Sequence, residues 1–201
     1  MRRAGPLALA VVLLTARAAA GAEPGALQPV FEHVHALTFD AAGRALWLGA
    51  HAGLYRSEDS GRTWAKAILL PAHDHGPDVM AIAGHPGEAE VLYVGTHEAG
   101  VLKTTDGGKT WKVANRGFGG LDVHGLAIDP NVPDKLHALV REKGSGIYRT
   151  TTGAQGGWVR VDDGPAGEIK TLASVNIPTG MGGIFLYAGT GEGLQRNPDC
   201  F

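Results

Sequence analysis

The chain has 201 residues, a length that suits one or two domains and allows one well-formed core. Glycine is unusually abundant at 31 residues, whereas charged residues make up only 19% of the chain. This combination favours a turn-rich β protein and argues against a coiled coil or an acidic disordered chain. The formal charge of −2 offers no basic surface for nucleic acid. With a cysteine count of 1, an internal disulfide framework and the cysteine-based zinc modules are excluded.

The first 22 residues have the organisation of a secretory signal peptide. Arg2 and Arg3 form a positive start, Leu7 to Leu14 form a short apolar run, and Ala20 to Ala22 offer a small-residue cleavage site. The run is too short for a stable membrane span, and no later stretch approaches the roughly 18 apolar residues that a span needs. We therefore expect export, a periplasmic or secreted location, and no transmembrane anchor after cleavage.

A repeat of 47 residues organises the rest of the chain. The segment from Ser57 to Trp64 (SEDSGRTW) recurs from Thr104 to Trp111 (TTDGGKTW), and Trp158 follows 47 residues later. A short strand-like segment that starts with glycine precedes each of these positions, and a fourth copy of it begins at Gly193. Units of four short strands at a spacing of about 40 to 50 residues are typical of β-propeller blades. The sequence therefore predicts an all-β propeller.

We expect four-stranded antiparallel blades from about four repeats, with the last blade incomplete. Alternating hydrophobicity and β-branched or aromatic residues mark the strands, while Gly, Asp and Asn mark the turns. The predicted organisation is a signal peptide at 1–22, an N-terminal segment at 23–32 and a propeller at 33–201, with blades at about 33–68, 78–114, 122–162 and 168–201.

The S/T-x-D-x-G-x-T-W segments have a structural explanation. The Asp side chain can accept hydrogen bonds from its own turn, the Gly adopts positive φ, and the Trp follows where its apolar area can be buried. The third copy has Thr152 or Gly153 at the Asp position, and the fourth keeps an Asp but ends before its Trp. The residues predicted to be structural are Ser57, Asp59, Gly61, Trp64, Thr104, Asp106, Gly108, Trp111, Trp158 and Asp199.

These motifs resemble the Asp-box of bacterial neuraminidase-like (BNR) propellers, of sortilin-type receptors and of the photosystem II assembly and stability factor family. The resemblance covers about residues 33–201 and implies an exported binding or assembly scaffold with a protein partner in the cell envelope. It also implies an alternative, a sialidase-like glycoside hydrolase or its truncated remnant. The F/Y-R-I-P element of the sialidases has no match here, and the tyrosines fall at repeated strand positions, as packing residues would. We therefore predict a non-catalytic scaffold and no catalytic residues.

The last repeat ends before its outer strand. One explanation is truncation of a longer propeller, which leaves Cys200 unpaired; the other is closure of a four-bladed ring by Gln28 to Glu32. An open arc would expose sheet edges and would favour self-association through the incomplete blade.

Several of the nine histidines fall at equivalent blade positions. His35, Met80 and His124 align on the innermost strands, and His51 aligns with His97 at the end of the second strands. Since innermost strands line a propeller's channel, His35, Met80 and His124 could converge on one mouth. Imidazole with a thioether suits copper, and imidazole alone suits zinc, nickel or copper. The pattern predicts a copper or zinc site, with backbone-satisfying histidines as the alternative.

Overall fold

The computed structural model describes residues 31–70, 76–161, 168–179 and 184–199. The predicted signal peptide, most of the segment 23–32, and Cys200 lie outside these ranges. Within them the regular elements are β-strands, and no helix is long and apolar enough to cross a membrane.

The described strands form four antiparallel sheets that follow one another along the chain, which confirms the predicted all-β propeller. The fourth sheet has three strands among the described residues. The first sheet consists of β1 (Val34–Phe39), β2 (Leu46–Ala50), β3 (Gly53–Ser57) and β4 (Ala65–Lys66). The second consists of β5 (Val79–Gly84), β6 (Leu92–Thr96), β7 (Val101–Thr104) and β8 (Lys112–Val113). The third consists of β9 (Val123–Ile128), β10 (Leu136–Val140), β11 (Gly146–Thr150) and β12 (Val159–Val161). The fourth consists of β13 (Ile169–Pro178), β14 (Ile184–Thr190) and β15 (Gly193–Asp199).

The innermost strands β1, β5, β9 and β13 lie side by side in that order and line a central cavity of about 380 Å³. Packing of similar extent between β13 and β1 is not seen in the described part of the chain. Of the segment predicted to close the ring, 28–30 lie outside the described residues. Phe31 packs edge-on against Tyr55 and Trp64 of the first blade. Closure of the ring stays a prediction.

A β-bulge near the start of the innermost strands decides which side chains face the neighbouring blade. The pairing of β5 with β6 shifts register between Val79 and Ala81. Because the extra residue reverses the alternation, Val79 and Ile82 pack towards the first blade, whereas Ala81 and Ala83 pack in the core shared with the third. The pairing of β1 with β2 has the same shift at its start. Three hydrophobic cores of the described residues therefore lie between adjacent blades, and a fourth is formed by first-blade residues with Phe31.

Candidate functional site

The two complete box segments of the sequence form the same closed hydrogen-bonding network. Asp59 Oδ1 accepts hydrogen bonds from Ser57 Oγ and from the Thr63 amide, both at 2.8 Å, and Asp59 Oδ2 accepts one from Thr63 Oγ1 at 2.6 Å. Asp106 has the same arrangement, including a 2.6 Å bond from Thr110 Oγ1. The threonine hydroxyls and amides stabilise the ionised carboxylates and lower the pKa of each aspartate to about 2. The carboxylates are thus used within their own turns.

The glycine and tryptophan of each complete box finish the same turn. Gly61 and Gly108 have φ of 85° and 86°, a left-handed conformation that other residues adopt only under strain. Their carbonyls accept hydrogen bonds from Trp64 Nε1 and Trp111 Nε1 at 3.0 and 3.2 Å. These residues hold a hairpin together and offer no catalytic group.

The third box departs from the other two. The amide of Thr152 lies 3.4 Å from Thr150 Oγ1, the separation found at the corresponding place in the first box, so Thr152 stands at the Asp position. Trp158 Nε1 donates to the carbonyl of Ala114 in the preceding blade at 2.7 Å instead of to its own turn. Asp199, the predicted fourth-box residue, ends β15, and its side chain is not among those the structure describes.

The structure divides the five predicted metal ligands between the central cavity and the junctions between blades. His35, Met80 and His124 line the central cavity together with Lys170 of the fourth blade. His51 and His97 lie just beyond β2 and β6, at the junctions between blades. The four histidines among these ligands also belong to two clusters, each centred on an aspartate that sequence reasoning did not select.

The first aspartate-centred cluster comprises His35, His51 and Asp78. Asp78 directly precedes β5 and lies at the junction of the first two blades. His51 Nδ1 is 2.9 Å from Asp78 Oδ2, and His35 Nε2 is 3.6 Å from Asp78 Oδ1. The aspartate is buried, whereas His51 reaches solvent.

The second aspartate-centred cluster comprises His97, Asp122 and His124 at the junction of the second and third blades. His97 Nδ1 and His124 Nε2 lie 3.3 and 2.7 Å from Asp122 Oδ1, and the two imidazole rings are 5.0 Å apart. Burial lowers the pKa of His124, an effect that the charge of Asp122 opposes. The neutral imidazole is therefore favoured at neutral pH.

Both clusters use a position that recurs at every blade junction. An acidic residue directly precedes the innermost strand of the second, third and fourth blades, at Asp78, Asp122 and Glu168. At the third junction Arg141 replaces the histidine and donates to the carbonyl of Ile169 at 3.4 Å. Arg141 and Glu168 line a cleft of about 620 Å³ together with the second cluster. This recurrence was visible in the sequence and would have identified the two aspartates.

The comparisons with known proteins begin with sequence. No protein-family model matches the chain. A xyloglucanase of Paenibacillus sp is 29% identical over 153 residues, which are 61% of this chain and 14% of that protein. An oligoxyloglucan-reducing end-specific xyloglucanase of Neosartorya fischeri is 36% identical over 70 residues, 33% of this chain and 9% of that protein. The chain thus spans a small part of the length of these curated relatives.

Solved structures resemble the chain over most of its length. An ancestral GH74 enzyme matches 85% of this chain and 24% of its own, with a TM-score of 0.62 and 18% identity. The extracellular domain of a hybrid two-component system from B. thetaiotaomicron matches 84% and 24%, with a TM-score of 0.63 and 17% identity. YCF48 bound to D1 peptide matches 86% and 53%, with a TM-score of 0.60 and 18% identity. The shared feature is the β-propeller fold.

Proposed function

We propose that this chain is a non-catalytic β-propeller that acts outside the cytoplasm and binds a protein partner. The proposal rests on one surface, the first-blade face, formed by Val34, Leu37 and Phe39 on β1. These side chains are 52%, 60% and 56% exposed. Val79 and Val123, which occupy the place of Val34 in the next two blades, are completely buried. The first-blade face is thus a blade-to-blade contact surface with no blade against it among the described residues.

The shape of this face indicates what covers it. Because β1 carries the same bulge as β5, its three apolar side chains lie on the side where a preceding blade would pack. On the outer part of that side Phe31 packs against Tyr55 and Trp64. The three apolar side chains of β1, the strand nearest the channel, stay exposed. Contiguous exposed apolar residues of this kind mark protein interaction sites. The occupant that fits this face is therefore a β-sheet face, and we propose that a partner protein supplies it.

Among the described aromatic residues, Phe39 is exposed and lies on the first-blade face, where its ring adds a large apolar contact area. All 4 tryptophans and all 4 tyrosines lie in the described part of the chain, and none of them is exposed. They are used in the blade cores and the box turns.

The structural relatives are consistent with this role. A propeller of the same fold is the extracellular domain of a two-component system, and another is bound to a peptide. The Asp-box resemblance implies the same kind of protein, and the signal-like N-terminus of the sequence supplies the route out of the cytoplasm. The localisation we propose is the periplasm or the extracellular space.

The test is affinity recovery from the envelope and secreted fractions of the source cells with the mature chain as bait. We expect a defined set of partner proteins that Leu37→Glu fails to recover. Val159→Glu is the matched control, since Val159 is 72% exposed on the outer strand β12 and carries the same change of charge. If both variants recover the same proteins as the unaltered chain, the first-blade face is not the binding surface.

A second candidate function comes from the curated relatives, both named as xyloglucanases. It would place glycoside hydrolysis in the cleft between the third and fourth blades, which contains Asp122, Glu142 and Glu168. Hydrolysis of this kind needs two carboxyl groups on opposite sides of the scissile bond. Release of reducing ends from xyloglucan, abolished by Glu168→Gln, would favour this candidate, and the non-catalytic proposal predicts none. The sialidase-like alternative finds no support in these relatives.

A further inference from the structure

We propose that each aspartate-centred cluster binds one divalent transition-metal ion, and that zinc is the ion it fits best. The ligands are His35, His51 and Asp78 at the first junction, and His97, Asp122 and His124 at the second. This inference concerns sites between blades and is independent of the first-blade face and its partner.

The separations of the ligand atoms suit one ion in each cluster. In either cluster one imidazole nitrogen per histidine and one carboxylate oxygen all lie within 4.8 Å of one another. Two ligands about 2.0–2.1 Å from a tetrahedral zinc ion are separated by roughly 3.3–3.5 Å. The separation is 3.3 Å between His97 Nδ1 and Asp122 Oδ1 and 3.6 Å between His35 Nε2 and Asp78 Oδ1. Two contacts are shorter, at 2.7 Å between His124 Nε2 and Asp122 Oδ1 and 2.9 Å between His51 Nδ1 and Asp78 Oδ2. Each pair of atoms needs to separate by less than about 1 Å to hold the ion.

A second, independent observation points to a cation at the same places. Asp78 Oδ1 and Asp122 Oδ1 are buried and have no hydrogen-bond donor among the described residues. The imidazole nitrogen nearest to Asp122 Oδ1 is His124 Nε2, at 2.7 Å. A buried carboxylate oxygen without a donor is costly, and nearly all such atoms in folded proteins have a partner. A metal ion bound by each carboxylate and its two imidazoles removes that cost.

The donor set decides which metal is expected. Two imidazoles and one carboxylate are three protein ligands that leave one position of a tetrahedron open, a set typical of zinc. Calcium and magnesium prefer oxygen ligands throughout, and copper(I) prefers sulfur. The clusters require no thioether, so Met80 is not needed as a ligand. The proposed sites use four of the predicted histidines and add Asp78 and Asp122, while the copper or zinc site of the His/Met ring stays a prediction.

The competing explanation is that the clusters are only ion pairs that hold adjacent blades together. At the third junction Arg141 stands in place of the histidine and donates to the carbonyl of Ile169, and a guanidinium that stays protonated cannot bind a metal. Ion pairs and metal sites make different predictions. Ion pairs require protonated imidazoles and take up no zinc, whereas metal ligands require neutral imidazoles and take up one ion per cluster.

The experiment is a zinc titration of the mature chain, produced without a histidine tag and stripped with a chelator. His73 and His75, which lie outside the described residues, are replaced by alanine in every sample to remove competing imidazoles. We expect two zinc equivalents per chain. Asp78→Asn and Asp122→Asn should each remove one equivalent or weaken it at least about tenfold, and the double variant should bind none. His85→Ala is the matched control, because His85 lies beside Glu88 outside both clusters and should leave both equivalents intact.

A second readout separates loss of ligands from loss of folding. Zinc should raise the unfolding temperature of the unaltered chain and leave that of the double aspartate variant unchanged, since only the native state of the former binds the ion. His51→Ala and His97→Ala change side chains that are 58% and 40% exposed, and each should weaken one site without unfolding the chain. Two undiminished equivalents in the aspartate variants, or an equal loss in His85→Ala, would overturn the proposal.

Discussion

Gly49 faces Val79 so closely that a β-carbon added to Gly49 would lie 2.6 Å from Val79 Cγ1 and 3.0 Å from the carbonyl oxygen of Val79. Gly95 and Val123 repeat this contact one blade later, at 2.7 and 3.1 Å. Each contact joins the second strand of one blade to the innermost strand of the next. These glycines therefore set the distance between blades.

We predict that Gly49→Ala lowers the free energy of unfolding by about 1–3 kcal/mol, because the added carbon meets backbone that cannot move aside without separating the blades. Urea denaturation of the two proteins measures the difference. Gly191→Ala is the control, since nothing lies within 4 Å of the position of its β-carbon. Equal effects of the two substitutions would show that the blade spacing tolerates a side chain at Gly49.

Trp158 packs the third blade against residues that follow the second blade. It is 3% exposed, stacks on Phe118 at 4.8 Å and donates to the carbonyl of Ala114. Trp158→Ala should therefore cost about 3–5 kcal/mol of unfolding free energy. Trp64→Ala removes the same side chain from a half-buried position that bonds within its own turn, so we expect a smaller loss. Equilibrium unfolding of both variants tests this order, and a larger loss at Trp64 would contradict it.

The box aspartates should make the fold sensitive to acid. Their pKa of about 2 in the folded chain lies below the ordinary value of 3.8. A carboxylate whose pKa is lowered by folding stabilises the folded chain above about pH 4, and this stabilisation is lost as the pH falls towards 2. We expect unfolding free energy to fall between about pH 4 and pH 2, and to fall less steeply in Asp59→Asn and Asp106→Asn.

Thermal unfolding across this pH range provides the measurement. Glu192→Gln changes an exposed carboxylate in the turn between β14 and β15 and serves as the control. An acid profile that is the same in the box variants as in the unaltered chain would mean that these hydrogen bonds do not hold the carboxylates ionised.

The sequence predicted the fold because each blade is a local unit. Alternation and turn residues give a second strand at 45–51, and the structure has β2 at Leu46–Ala50. The 47-residue period then places the remaining blades without any knowledge of long-range contacts. The turns of the two complete boxes could be predicted for the same reason, since the side chain of Asp59 accepts hydrogen bonds only from residues within four positions of itself.

The candidate sites were only partly predictable, because they form between blades. Alignment of the repeats identified His35 and His124 as equivalent but could not show that each one meets a different aspartate. Asp78 lies 43 positions from His35 in the chain, and its role depends on how blades pack. The exposed face of β1 was also not predictable, because the bulge changes the alternation of side chains and places Val34 on the same face as Leu37.

The most direct test of the proposed function is site-specific photocrosslinking from position 37 in cells that express the exported chain. A photoreactive residue at Leu37 should form a covalent complex of defined mass with another protein molecule, while the same residue at Val159 should not. A product with the mass of two copies would identify the partner as this chain itself. Absence of any product at position 37, or the same product at both positions, would contradict binding through the first-blade face.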